Sequence, residues 1–111
     1  MNKFAKYVGL DYSSFECSQL VQLVLDSEFG VMVPDDFNVD STQWDAVREP
    51  IAGDVILFQR SGVVYHCGLM IDAEFFLHAD SVNGAVAERL TSDNYWSLHF
   101  EGFYRFRGQT L

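Results

Sequence analysis

The sequence predicts an α+β fold, a helical N-terminal part followed by an antiparallel sheet. Three observations carry that prediction. From Phe15 to Glu28 the apolar residues recur at helical spacing. After Gly53-Asp54 the pattern changes to short apolar and β-branched runs. Turn signals such as Ser61-Gly62 and Asn83-Gly84 separate those runs, closely enough to join neighbours as hairpins.

Residues 1–13 read as a short helical or irregular lead-in, ending in Asp11-Tyr12-Ser13-Ser14, whose serines are candidate helix N-caps. In the helix that follows, Cys17, Leu20, Val21, Val24 and Leu25 form one apolar stripe. Gln19, Gln22, Asp26 and Ser27 lie mostly on the other side, and Gly30 is a candidate C′ residue. The stretch from Pro34 to Pro50 is polar and broken, and reads as a loop with one helical turn around Ser41 to Ala46. Strands are expected at Val55–Phe58, Val63–Ile71, Phe75–Ala79, Ala85–Leu90 and Phe103–Arg107, with a turn at Asp72-Ala73-Glu74.

A chain of 111 residues is expected to form a single domain over residues 1–111, with 49% hydrophobic residues to supply a core. The net charge of −9 repels phosphates and anionic lipid, so neither a nucleic acid nor a membrane is expected as a partner. No apolar run approaches the roughly 20 residues of a membrane helix. Lys3 and Lys6 are not followed by the apolar stretch of a secretory signal, so a signal is read as absent or removed. Cys17 and Cys67 do not make a disulfide framework, and the expectation is a reduced protein made in the cytoplasm.

The residues that carry chemistry are one cysteine and two histidines. Cys17 lies in the first turn of the helix, where unpaired N–H groups and the positive end of the dipole favour a thiolate. The same N–H groups can stabilise an oxyanion. Cys17 is also on the apolar stripe, so a small buried hydrophobe and a nucleophile are both open readings. His66, Gly68 and Met70 share one face of their strand, while Cys67, Leu69 and Ile71 share the other. That alternation assigns Cys67 to the core and argues against joint zinc binding by His66 and Cys67. It also argues against a Cys17–Cys67 disulfide if His66 faces Cys17. A turn centred on Asp72 would place His78 directly opposite His66, close enough for the imidazoles to hydrogen-bond. His66 is then a candidate base and His78 a candidate orienting group, with two unrelated histidines as the alternative. His99 and the aromatic residues near it read as structural, and Asp54 as a group that satisfies turn backbone. No cofactor is called for.

Four segments, in order, give the chain a resemblance to a known family. They are Glu16-Cys17-Ser18-Gln19, Gly53-Asp54-Val55-Ile56-Leu57-Phe58, His66-Cys67-Gly68-Leu69-Met70-Ile71 and Leu77-His78-Ala79, followed by the ending Gly102-Phe103-Tyr104-Arg105-Phe106. Together they resemble the NlpC/P60 family of papain-like cysteine peptidases over nearly the whole chain. Tyr7 to Tyr12 and Phe29 to Pro34 are more loosely similar to its phage tail-assembly branch. The resemblance implies a papain-like fold, with the helix carrying the nucleophile packed on an antiparallel β-sheet. It implies Cys17 as nucleophile, His66 as base and His78 as the third residue, with Tyr12, Glu16 and Ser18 lining the substrate cleft. It further implies hydrolysis of amide bonds in peptidoglycan stem peptides through a thioester acyl-enzyme. Glu16 stands where the family usually has Asp, and Gln19 where it usually has Gly. The segment between Tyr12 and Cys17 is also short.

The expected partner is therefore a peptidoglycan peptide, reached by way of a phage particle, a secretion machine or lysis. Two alternatives differ in kind. One is acyl transfer, or amide hydrolysis on a substrate outside peptidoglycan. The other is a non-catalytic phage-tail or assembly module of the same fold.

Overall fold

A computed structural model describes residues 2–13, 16–32, 43–90 and 95–107. A 3₁₀ helix at Asn2–Tyr7 is followed by helix α1, Cys17–Phe29. Six strands come next: β1 Trp44–Val47, β2 Val55–Arg60, β3 Val63–Met70, β4 Phe75–Asp80, β5 Gly84–Arg89 and β6 Phe100–Phe106. A single turn of helix, α2 (Tyr95–Leu98), precedes the last strand. The strands form one sheet in the order β1-β6-β2-β3-β4-β5, and every neighbouring pair is antiparallel. The α+β architecture expected from the pattern is thus the one observed.

Helix α1 forms because its apolar stripe has a sheet face to cover. Leu20, Val21, Val24 and Leu25 are buried, and they share a core with Phe4, Tyr7, Val55, Leu69, Leu77 and Ala79. Gly30 ends the helix in the left-handed conformation, with φ of 65°. Its N–H donates to Asp26 O and the Val31 N–H donates to Leu25 O, which closes the last carbonyls. At the other end, Ser13 does not cap α1. Its N–H and hydroxyl both donate to Glu16 Oε1, while the Glu16 N–H donates back to Ser13 O. The Ser13 N–H to Glu16 carboxylate bond is one half of a capping box, placed just before the helix, while the Glu16 N–H goes to the Ser13 carbonyl rather than to its hydroxyl. Ser14 lies outside the described residues.

The opposite face of the sheet is also covered. Ile56, Phe58, Met70 and Phe76 form a second core, with Trp96, Phe100, Phe103 and Leu90 packed on it. The β2–β3 hairpin turns at Ser61 and Gly62, both with positive φ, as a two-residue turn between twisted strands requires. The N-terminal segment adds to the outer edge of β5. The Gly9 N–H donates to Ala85 O, and the Ala85 N–H donates to Leu10 O. Gly84 is needed there, because a Cβ at its position would lie 2.3 Å from Leu10 O. No helix among the described residues is long and apolar enough to cross a membrane.

One expected element is corrected. The helical turn placed around Ser41 to Ala46 is replaced, over its described part, by β1, which pairs with β6 from Trp44↔Phe106 to Val47↔Phe103. Trp44 is buried and its ring packs on Phe106, 5.0 Å between centroids. An edge strand with one inward anchor lacks an alternating pattern, and its pairing partner is some sixty residues away in sequence. Residues 33–42, which hold the rest of the expected loop, are outside the described residues.

Candidate active site

The site forms where the head of α1 meets the middle of the sheet. β3 and β4 pair at Leu69↔Leu77 and Met70↔Phe76, and this pairing is not continued toward His66. Extending the register would set His78 opposite Gly68, two residues from the His66 position expected from a turn centred on Asp72. The histidines are therefore diagonal neighbours on one face rather than direct partners. Gly68 makes the diagonal contact workable. A Cβ there would sit 2.9 Å from Leu77 O and 3.2 Å from His78 Cβ, so glycine leaves His78 the space it occupies.

His66 Nε2 and His78 Nδ1 are 2.9 Å apart, and both rings are buried. The other nitrogen of His78, Nε2, lies 2.5 Å from Glu88 Oε2 on β5. Burial pushes the His78 pKa below its ordinary value, against the opposing pull of the Glu88 carboxylate. Trp96 closes the pair from above. Its ring stacks on His66 at 5.1 Å and meets His78 edge-on at 4.7 Å. A cleft of about 340 Å³ opens beside the two imidazoles, lined also by Tyr65, Asp80, Ser81 and Trp96. A second depression of about 390 Å³, along β1 and β6, has neither cysteine nor histidine in its lining.

Cys17 is half-buried, and its sulfur is 3.3 Å from that of Cys67. Cys67 is buried in the α1-side core, as face alternation assigns it, and its thiol also touches Cys17. Face alternation does separate His66 from Cys67, but it does not remove Cys67 from the site. Where β3 and β4 are no longer paired, the head of α1 can reach both consecutive residues of β3. Both cysteines are free thiols. The Cys67 S–H donates to Cys17, and with the imidazole of His66 it outweighs burial, so the Cys17 pKa is lowered from 9.0 to about 4. The Cys67 pKa moves the opposite way, up, because its proton is held by the neighbouring sulfur and its surroundings exclude water.

Tyr12, Glu16 and Ser18 stand around the head of α1. Tyr12 is half-buried against the α1-side core. The Glu16 carboxylate turns back to Ser13 and makes no side-chain cap on α1. Ser18 follows Cys17 in the first turn and is half-buried. His99 lies apart from the histidine pair, with Nδ1 3.2 Å from Gln59 O. Asp54 does satisfy turn backbone, accepting from the Ile51 N–H at 2.8 Å. It also receives two hydrogen bonds from Arg105, each of 2.8 Å.

Sequence reasoning passed over Glu88 and read Trp96, with the aromatic residues near His99, only as structural. Glu88 had a signal. It shares its face of β5 with Val86, the direct partner of His78, so an acid there is a diagonal neighbour of that histidine. Trp96 had none, because a single helical turn carries no periodicity.

Sheet, helix and side chains thus define an α+β domain with a cysteine–histidine centre at a helix head. The chain belongs to the NlpC/P60 family, whose model matches residues 4–105. It is also similar to the gamma-DL-glutamyl hydrolase of Bacillus subtilis (strain 168), with 31% identity over 123 aligned positions. That match covers 96% of this chain but only 28% of the relative's length.

Proposed function

We propose that this domain hydrolyses amide bonds to γ-linked glutamyl residues in peptidoglycan stem peptides, with Cys17 as nucleophile, His66 as base and His78 as orienting residue. The observation that carries the reading is the geometry of that centre. A thiol with its pKa lowered to about 4 lies at a helix head, next to an imidazole whose far nitrogen is tied to a second imidazole. Family membership and the hydrolase relative support hydrolysis as the reaction class.

His66 uses Nε2 toward His78, which leaves Nδ1 as the nitrogen available to Cys17. The Cys17 thiolate attacks the amide carbonyl, and the imidazolium of His66 gives its Nδ1 proton to the departing amine. The resulting thioester is cleaved by water, which loses a proton to His66 as it attacks. N–H groups of the first turn of α1, with no Glu16 side chain folded over them, are placed to stabilise the oxyanion of both steps. Tyr12, Glu16 and Ser18 are proposed to line the approach to the carbonyl. The charge of −9 favours a substrate bearing a cationic group, such as a diamino acid, over a polyanionic glutamyl chain.

The test is incubation of the wild type and Cys17→Ala with a defined muropeptide set and with poly-γ-glutamate, read by mass spectrometry. New amine termini in muropeptides, absent with Cys17→Ala despite unchanged folding, are the expected result. Transfer to an added amine without hydrolysis would identify an acyltransferase instead. No covalent adduct and no product with any substrate would overturn the reading in favour of a non-catalytic module.

A further inference from the structure

The two histidines are linked in series, and the series ends on a carboxylate. Glu88 Oε2 is 2.5 Å from His78 Nε2, and His78 Nδ1 is 2.9 Å from His66 Nε2. A carboxylate only accepts, so His78 Nε2 must carry the proton of that bond. His78 is pushed toward its neutral form by burial, so its Nδ1 then holds a lone pair and accepts. His66 Nε2 must in turn be the donor. With Nε2–H committed, the neutral form of His66 presents a bare Nδ1, the nitrogen that faces the nucleophile in the reaction proposed above.

We propose that Glu88 is a positioning residue that sets the direction of both imidazole hydrogen bonds and so fixes the base-competent tautomer of His66. This inference rests on the Cys17–His66–His78 reading and extends it by one residue. Without Glu88, His78 has no fixed acceptor at Nε2 and can carry its proton on Nδ1 instead. His66 Nε2 would then have to accept, and its proton would sit on Nδ1, where it blocks proton removal from the water that cleaves the thioester. The chain of contacts is short and the end group is accessible. The Glu88 side chain is 41% exposed, whereas that of His78 is 1% exposed. Replacing Glu88 therefore perturbs the series with little effect on packing. Besides Glu88, the charged or titratable groups acting on His78 are His66 from β3 and Asp80 from its own strand. Asp80 is occupied by the turn it caps, accepting from the N–H groups of Val82 and Asn83.

The experiment compares the wild type, Glu88→Ala and Glu88→Gln by nitrogen-15 NMR of the histidine rings and by amide turnover. The wild type is expected to show His78 protonated at Nε2 and, where His66 is neutral, His66 protonated at Nε2 as well. Glu88→Ala is expected to show mixed tautomers and a kcat lower by about 10- to 100-fold at similar KM, the scale of loss when the outer partner that orients a metal-bound histidine is removed. Glu88→Gln keeps an accepting oxygen and should recover most of both. Wild-type tautomers in Glu88→Ala would overturn the proposal, whatever the turnover. The ring spectra need no substrate, so an inactive wild type would defeat the hydrolase reading while leaving this test intact.

Discussion

Cys67 offers the sharpest quantitative test of the site, because its removal should move the titration of Cys17 without touching either histidine. The Cys17 pKa stands at about 4 rather than 9.0, and the S–H of Cys67 is the largest cause, ahead of His66. A hydrogen bond to a charged group contributes roughly 1.5–3 kcal/mol. At 1.36 kcal/mol per pKa unit this is about 1–2 units. A thiol is a weak donor, which favours the lower end. Cys67→Ala should therefore raise the Cys17 pKa to roughly 5–6, with Cys67→Ser, which keeps a donor, remaining closer to the wild type. The assay is the rate of iodoacetamide alkylation at Cys17 against pH. Only the thiolate reacts, so rates fall as pH drops through the pKa. At neutral pH the wild type and Cys67→Ala should react alike, and near pH 5 the variant should react several-fold more slowly. Superimposed curves for the wild type and Cys67→Ala would refute the role assigned to the sulfur contact.

Two further perturbations separate site geometry from stability. Gly68→Ala places a methyl group 2.9 Å from Leu77 O and 3.2 Å from His78 Cβ, so β4 must shift. Amide turnover should fall by at least about tenfold, since small misplacements of reacting groups are costly, while the protein remains folded by circular dichroism. Arg105→Ala acts on stability instead. It leaves the buried Asp54 carboxylate without the two charged donors it accepts from, at a cost of about 3 kcal/mol. Urea unfolding should show that loss, and the alkylation profile of Cys17 should stay where it is.

Patterns that depend on local spacing were legible in the chain, and those that depend on distant pairing were not. The α1 stripe, its glycine end and five of the sheet's six strands follow from periods of 3.6 and 2 and from turn residues. β1 does not, since its four residues acquire a strand's character only from β6. The site divides in the same way. Cys17, His66 and His78 could be singled out as candidates because each sits in a distinctive local segment, and alternation put both histidines on one face. How they meet could not be read, because a turn centred on Asp72 and a register shifted by two residues keep the same faces inward.

That tolerance explains why the faces were legible although the pairing was not. A shift of one residue would have turned His78 to the opposite face, whereas a shift of two only exchanges a direct pair for a diagonal one. The diagonal separation, about 7–8 Å between Cα positions, exceeds that of a direct pair, and an imidazole can span it if nothing stands between. Gly68 leaves that space open. Face alternation put Cys67 in the core, where it lies, but left its contact with Cys17 unread. Alternation says which way a side chain points from a continuous sheet. It does not say what reaches that side chain where two strands are no longer paired. At that opening the head of α1 brings Cys17 within reach of two consecutive residues of β3, one on each face. A donor thiol on the α1 side and an imidazole from the other face can then act on one sulfur, which the imidazole could not do across an intact sheet.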